Sequence, residues 1–458
     1  MFHLYRPFLL GEDEDDNSRL WGGRKLWVRG RWWYGLTHVC QRWKNIILGS
    51  ASYLDLSLVC TYGTHVADML AHSPPFPLVL DYIRKDRDIT TDDEEGIILA
   101  LQQRDRVRRA RLHMSATCVQ WFIATMDEEY PILEFLVVEH PIEDNDRILI
   151  FSETLQAPLL RHLRLVGSAL PIGTRLPTTA VGLVTLCLVM VHPSTYLHPN
   201  TLLQWISLLP QLETLVIHFI HSTPSRDLER QLTHTPIIAP ITLPNFHYFR
   251  FHGASTYLDA LVHRIATPRL ERLEFEFFNQ LTFSVPRLQQ FINTTENLRF
   301  ENAGFTFSDD RVHAVVYLRG ETKMYTMSIV VFCWHLDWQV SSVTQVSDSL
   351  SHVFSAVERL ALYHEAHDRS SEEHNEVDRT EWRKLLRPFR NVKTLWIDNG
   401  LVKDLSRCLQ LEGGELPLEL LPELRGLAYS ERAKTGDAFT SFVDARQSAG
   451  RPVTLAPM

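Results

Sequence analysis

Three groups of residues in this sequence have types that could do chemistry. Cys40 and Trp43 stand three apart in "LTHVCQRWKNIILGS" (36–50). A reactive thiol there would need a microenvironment that favours the thiolate. His364, Glu365, His367, Asp368 and His374 gather imidazoles and carboxylates in "HEAHDRSSEEHNEVDRTEW" (364–382). Their spacing is not His-Glu-x-x-His, which sets two imidazoles on one helix face beside a general base. An enzyme built on them would need zinc, and the density of charge predicts a solvated loop instead. The third group is the five arginines of "QQRDRVRRARLHM" (102–114), which could neutralise phosphates. The chain as a whole is acidic, with 55 Asp and Glu against 46 Lys and Arg and a net charge of −9. No aromatic platform accompanies the run, so the expectation is arginines pointing outward from a sheet edge or helix end rather than a nucleic-acid site. The sequence has no Gly-rich phosphate loop, no Gly-x-Ser-x-Gly elbow and no paired carboxylates at a convincing spacing. It therefore predicts no catalytic residues, no cofactor, no metal and no nucleic-acid partner.

The elements that would hold these groups follow from periodicity. Leu36, Val39, Cys40, Trp43, Ile46 and Ile47 fall on one face of a predicted helix closed by Gly49. Cys40 then reads as a small hydrophobe on that stripe. Leu54, Leu56 and Leu58 alternate with Asp55 and Ser57, which predicts a half-buried strand. Beyond residue 100 one phrase returns, roughly Pro-x-Leu-x-x-Leu-x-Leu. Copies are "RVRRARL" (106–112), "PILEFLVV" (131–138), "PLLRHLRL" (158–165), "GLVTLCL" (182–188), "PQLETLVI" (210–217), "PNFHYFRF" (244–251) and "PRLERLEF" (268–275). It resumes as "AVERLAL" (356–362), "RNVKTLWI" (390–397) and "PELRGLAY" (422–429). The gap between Leu270 and Val357 has room for two more units, at "ENLRFENA" (296–303) and "MSIVVFC" (327–333).

Between the phrases lie helical stretches such as "HPNTLLQWISLLPQ" (198–211) and "STYLDALVHRIATP" (255–268). A strand-plus-helix unit at this period predicts an α/β, irregular leucine-rich-repeat-like solenoid, because single units cannot bury their apolar face and stacked ones can. A doubly wound α/β domain is the alternative. "TEWRKLLRPF" predicts a helix after the polar loop 364–381, and "AFTSFVDARQSAGRPVTL" (438–455) predicts a closing helix and strand.

The bulk properties agree with a large packed core: 458 residues, 45% hydrophobic and 22% charged. Six cysteines are scattered without a Cys-x-x-Cys pair, which favours reduced thiols and a cytoplasmic or nuclear setting. No apolar run reaches membrane-spanning length; the longest, "AVGLVTLCLVMV" (180–191), predicts a buried strand. The opening residues lack a signal-peptide pattern, and the Asn293 glycosylation acceptor is then incidental. Exposed aromatics such as Tyr196 or Trp338 are candidates for ligand contact or for core.

The Val39, Cys40, Arg42 and Trp43 core of "LTHVCQRWKNIILGSASYLDLSLVC" resembles the second half of an F-box running into a repeat domain. The continuation "TYGTHVADMLAHSPPFPLVLDY" (61–82) is similar to fungal, mushroom-type F-box proteins with degenerate leucine-rich repeats. So are "DEEYPILEFLVV" (127–138), "FSDDRVHAVVYL" (307–318), "LDWQVSSVTQV" (336–346) and "WRKLLRPFRNVKTLWI" (382–397). The resemblance implies a non-catalytic substrate-recognition subunit of an SCF ubiquitin ligase, whose solenoid holds a target protein. It implies a Skp-type adaptor and a cullin as partners, with Phe2, Leu4, Leu36, Val39, Cys40 and Trp43 contacting the adaptor. The family's Leu-Pro helix start does not stand before Met1, so the likeness is to an F-box shortened at its N-terminus. The expected organisation is a partial helical F-box segment with an acidic, Trp-rich insertion over 1–50, then the solenoid with its cap over 51–458. The alternative function is a leucine-rich-repeat scaffold that binds protein and has lost ligase coupling.

Overall fold

The computed structural model describes residues 32–50, 54–83, 89–140, 149–191, 197–220, 240–278, 285–295, 298, 300–317, 325–365, 377–411, 415–429 and 438–457. Phe2, Leu4, the acidic stretch 11–25, Tyr196, His367, Asp368 and His374 lie outside them. The chain forms two compact units, Met1–Leu188 and Val189–Met458, which part inside one strand. Both mix strands and helices, and both stack strand–helix repeats.

The first unit opens with α1 (Trp32–Thr37), α2 (Gln41–Gly49), β1 (Leu58–Cys60), α3 (Val66–His72), β2 (Leu78–Tyr82) and α4 (Thr91–Leu101). It continues through β3 (Val107–His113), α5 (Ala116–Thr125), β4 (Phe135–Glu139), β5 (Leu149–Ile150), β6 (His162–Val166), β7 (Ser168–Ala169), α6 (Leu176–Thr179) and β8 (Thr185–Val191). Its main sheet runs β1-β2-β3-β4-β6-β8, and the pairs from β1 to β6 are parallel. Thr90 starts α4 with a capping box, its hydroxyl accepting from Asp93 N while Asp93 accepts from Thr90 N. The other Asp93 oxygen accepts from Gly63 N at 2.8 Å, tying the preceding loop to the helix start.

In most phrases the first apolar residue sits in the turn ahead of its strand rather than in the strand itself, while Val107 instead opens β3. Leu133, Leu160 and Leu183 are buried there. Their N–H groups donate to the carbonyls of Tyr130, Ala157 and Ala180, three residues back. The later apolar positions then alternate into the core, as Leu136 and Val138 or Leu163 and Leu165 do.

The second unit holds α7 (Pro199–Ser207), β9 (Thr214–Phe219), β10 (Ile241–Thr242), β11 (Tyr248–Gly253), α8 (Ser255–Val262), β12 (Ile265–Ala266), β13 (Arg272–Phe277) and α9 (Pro286–Asn293). Next come β14 (Asn302–Ser308), β15 (Arg311–Tyr317), β16 (Tyr325–Phe332), α10 (Leu336–Ser349), α11 (Ser351–Ser355) and β17 (Arg359–Glu365). It ends with α12 (Arg379–Leu386), β18 (Thr394–Ile397), α13 (Val402–Leu409), β19 (Gly426–Tyr429), α14 (Thr440–Ser448) and β20 (Thr454–Pro457). Its core is aromatic: Phe249, Phe251, Phe275 and Phe277 lie under the central strands, and Phe307 meets the buried Trp382 edge-on at 5.5 Å.

Strand order in this unit is β9-β11-β13-β16-β15-β14-β17-β18-β19-β20. The predicted gap is therefore not two repeats in series. "MSIVVFC" does form β16, but it lies beside β13, and the strand near "ENLRFENA" begins only at Asn302. Between them β15 runs antiparallel to both neighbours. The chain skips two strand positions to lay β14 third beyond β13, turns at Asp309–Asp310 and comes back. A short polar turn permits an antiparallel return where a parallel one would need a long crossover. The remaining phrases of this unit, in β9, β11, β13, β17, β18 and β19, become parallel strands, and the C-terminal helix and strand close the sheet, with β20 parallel to β19. The strand predicted from Leu54 begins at Leu58, although Leu56 is buried as the alternation requires.

Candidate binding surface on the outer face of the sheet

Residues that alternate with the core positions form the outer face. In the second unit "YFRFHG" and "RLEFEF" put Tyr248, Arg250 and His252 opposite Arg272, Glu274 and Glu276. The Tyr248 hydroxyl donates to Glu274 at 2.9 Å. Arg250 donates to Glu276 at 2.6 Å and stands 3.5 Å from Glu274. Arg272 reaches Glu274 at 2.8 Å and lies over the Tyr248 ring. His252 stacks on His218 at 4.0 Å and is 3.5 Å from Glu276. Burial and the Glu274 carboxylate hold the Tyr248 phenol above its ordinary value. Burial pulls the Arg250 guanidinium down, and Glu276 and Glu274 more than offset it. These cations and carboxylates satisfy one another.

Further along this face the His313 Nε2 and Ser328 Oγ are 2.8 Å apart. Burial lowers the His313 pKa from its ordinary value. A Ser–His pair of this kind needs donors for an oxyanion, but Ser328 lies inside β16, between the ladders to β13 and β15. The arrangement fits a structural hydrogen bond. Tyr363 and Trp396 then pack at 4.4 Å on adjacent strands, with Tyr363 exposed.

The outer face of the first unit carries the arginine run. Arg109, Arg111 and His113 share it, because β3 shifts register after Val107. Arg104 pairs with Asp127 and Glu128, Arg108 with Asp55 and Glu134, and Arg111 stands 3.9 Å from Asp81. Arg106 instead donates to the carbonyls of Phe76 and Pro74. The basic run is thus spent on carboxylates and carbonyls within the fold. Glu139 sits between His113 (3.6 Å) and Arg164 (2.6 Å). Burial pushes its carboxyl up, but these two partners outweigh that and bring it down to about 2. Beside them Val59, Val79, Phe135 and Val137 make an apolar cluster, with Ile83 packed on it.

The sequence-predicted docking residues do not share one helix. α1 ends at Thr37, with His38 N donating to Gly35 O and Val39 N to Leu36 O. Cys40 is extended, at φ −164°, and only then does α2 begin. The β-branched Thr37 and Val39 disfavour continuing the helix across the break. Leu36 and Trp43 are half-buried, while Val39 is 60% and Ile46 40% exposed. Cys40 is exposed too, not packed on a stripe. On the other side Ile47 is fully buried, and Trp33 donates from Nε1 to Ser57 O at 3.3 Å and meets Phe76 edge-on at 5.5 Å.

Of the histidine group, His364 and Glu365 end β17, and no metal-ligating cluster of three or more residues occurs among the described residues. Trp338 is 43% exposed, and Trp334, which the sequence did not single out, is 68% exposed. Among the described residues no helix is long and apolar enough to cross a membrane.

No protein-family model matches the chain, and no curated protein matches it. Among solved structures it is similar to the leucine-rich repeat-containing protein LegL7 from Legionella pneumophila, at 10% identity over 87% of this chain and 99% of that one, with a TM-score of 0.26.

Proposed function

We propose that this chain is a non-catalytic recognition subunit. The outer face of its repeats holds a protein target, and the α1–α2 segment docks on a Skp-type adaptor that leads to a cullin. The observation that carries the docking half is the exposure of Val39 and Cys40 at the break between α1 and α2 and of Ile46 on α2, in a segment anchored by buried Trp33 and Ile47. Apolar side chains held outward by a packed element are the usual anchors of a helix-in-groove contact. The Phe2 and Leu4 contacts belong to the same proposal.

The test is co-purification of a tagged full-length chain with a Skp-type adaptor and cullin. Recovery from the parent chain and loss in a Val39→Glu/Trp43→Glu variant of unchanged circular dichroism is the expected result. If the parent chain recovers no adaptor, ligase coupling is wrong. A protein-binding repeat scaffold then remains as the second reading, favoured by the self-neutralised outer face around Arg250 and Glu274, which needs no adaptor.

A further inference from the structure

At one end of the second unit's sheet, the β14–β15 turn, the end of β16, the start of α10 and the end of β17 come together. Ser308 is in register with Glu365, and Cys333 N donates to Asp310 O at 2.9 Å. Gln339, buried in the first turn of α10, donates to the carbonyls of Ser308 and Cys333 at 2.7 and 2.9 Å. This fixes the helix start to the turn. On that mount stand Trp334 and Trp338, both exposed, with His335 edge-on to Trp338 at 4.7 Å. Two large aromatic surfaces left in water on a rigid support are characteristic of a contact site, since single scattered hydrophobics are the norm elsewhere.

The described segments that meet here, the β14–β15 turn, the start of α10 and the end of β17, carry Asp309, Asp310, Asp337 and Glu365 against one guanidinium, Arg311. Arg311 is already held by both Asp310 oxygens at 2.8 Å and lies over the Phe332 ring. The Asp337 Oδ1 is buried without a hydrogen-bond partner among the described residues. Indole faces attract cations through the ring quadrupole, and neighbouring carboxylates add to that attraction.

We propose that this edge binds a lysine- or arginine-bearing peptide segment of a partner protein, cationic side chains lying against Trp334 and Trp338 and pairing with Asp309 and Asp337. This rests on the reading of the chain as a protein-recognition subunit and specifies the chemistry of what it recognises.

The probe is a fluorescein-labelled peptide of repeating Lys-Arg-Gly, compared with Glu-Asp-Gly and Ser-Gln-Gly peptides, titrated by anisotropy against the full chain. The basic peptide alone is expected to bind, more weakly as salt rises. Trp334→Ala/Trp338→Ala is expected to weaken it about tenfold, and Asp309→Asn/Asp337→Asn to weaken it several-fold and flatten the salt dependence. Equal binding of the acidic peptide, or undiminished binding to the double tryptophan variant with native circular dichroism, overturns the site. So does binding of phosphatidylcholine vesicles in place of any peptide. Adaptor capture is measured on the same preparations. Peptide binding without adaptor overturns ligase coupling alone, and adaptor without peptide overturns this site alone.

Discussion

The Tyr248 hydroxyl donates to the Glu274 carboxylate across the β11–β13 pair, with both residues buried on the outer face. Two guanidiniums, Arg250 and Arg272, flank the same carboxylate. Removing the hydroxyl leaves a buried acceptor short of one donor, and such a group costs more than the bond contributed. Tyr248→Phe is expected to destabilise the second unit by about 1–2 kcal/mol. Urea denaturation is the check; a midpoint equal to the parent's would show that the arginines alone satisfy Glu274.

Glu139 gives a pH dependence with a definite sign. Its folded pKa is depressed from 4.5 to about 2 by His113 and Arg164. Its contribution to stability is therefore complete above pH 4.5 and fades as the pH falls toward 2. Glu139→Gln is expected to lower stability by about 1–3 kcal/mol at pH 6. The gap between parent and variant should narrow steadily on acidification, and a gap that stays constant down to pH 3 would refute the assignment.

Arg446 on α14 is fully buried and donates to the carbonyls of Leu421, Pro422 and Leu424 at 3.2, 3.1 and 2.9 Å. Leu421 sits at φ +49°, a left-handed backbone that this cation helps to hold. Arg446→Met keeps the apolar stem but strips three carbonyls of their donor. Roughly 2–4 kcal/mol should be lost, and limited proteolysis should cut first near residue 421, ahead of β20. Cleavage elsewhere first would mean that α14 is not what closes the sheet.

The turn leucines allow a direct test of the repeat unit. Leu212 is fully buried in the turn ahead of β9, its N–H donating to Leu209 O. Leu212→Ala is expected to cost about 2–5 kcal/mol, read as a drop in the thermal midpoint. The neighbouring exposed Gln211, changed to Ala, should leave that midpoint nearly unmoved.

The parts of this fold that were legible in sequence are those where burial repeats. Leucine or phenylalanine at alternate positions, preceded by an apolar turn residue, identifies a strand wherever it occurs, and "PRLERLEF" became β13 on that basis. β15 was not legible as a place in the sheet, because strands following one another in sequence usually become neighbours and β13 and β14 do not. The signal was nonetheless present: Ser308-Asp309-Asp310-Arg311 is a turn followed by Val312, Ala314 and Val316 in alternation. The break at Cys40 was hidden because the apolar spacing continues across it. The outer-face network was hidden for another reason. The phrase treats Tyr248, Arg250, Glu274 and Glu276 as interchangeable spacers, and only the β11–β13 register brings them together. Trp334 lies two residues past the end of β16, where periodicity no longer distinguishes inside from outside.

The exchanged positions of β14 and β16 bear on how the second unit would yield to force. A simple stack of repeats can peel one unit at a time from its ends. Here β13 and β17 are joined through three strands whose order runs opposite to the chain. Pulling on the C-terminal end can strip β20, β19 and β18 in turn. Once β17 has left β14, however, the next strand along the pulled chain is β16, which is paired on both edges, with β13 and β15. The module must then rupture together, so the unit carries a mechanical catch at its centre.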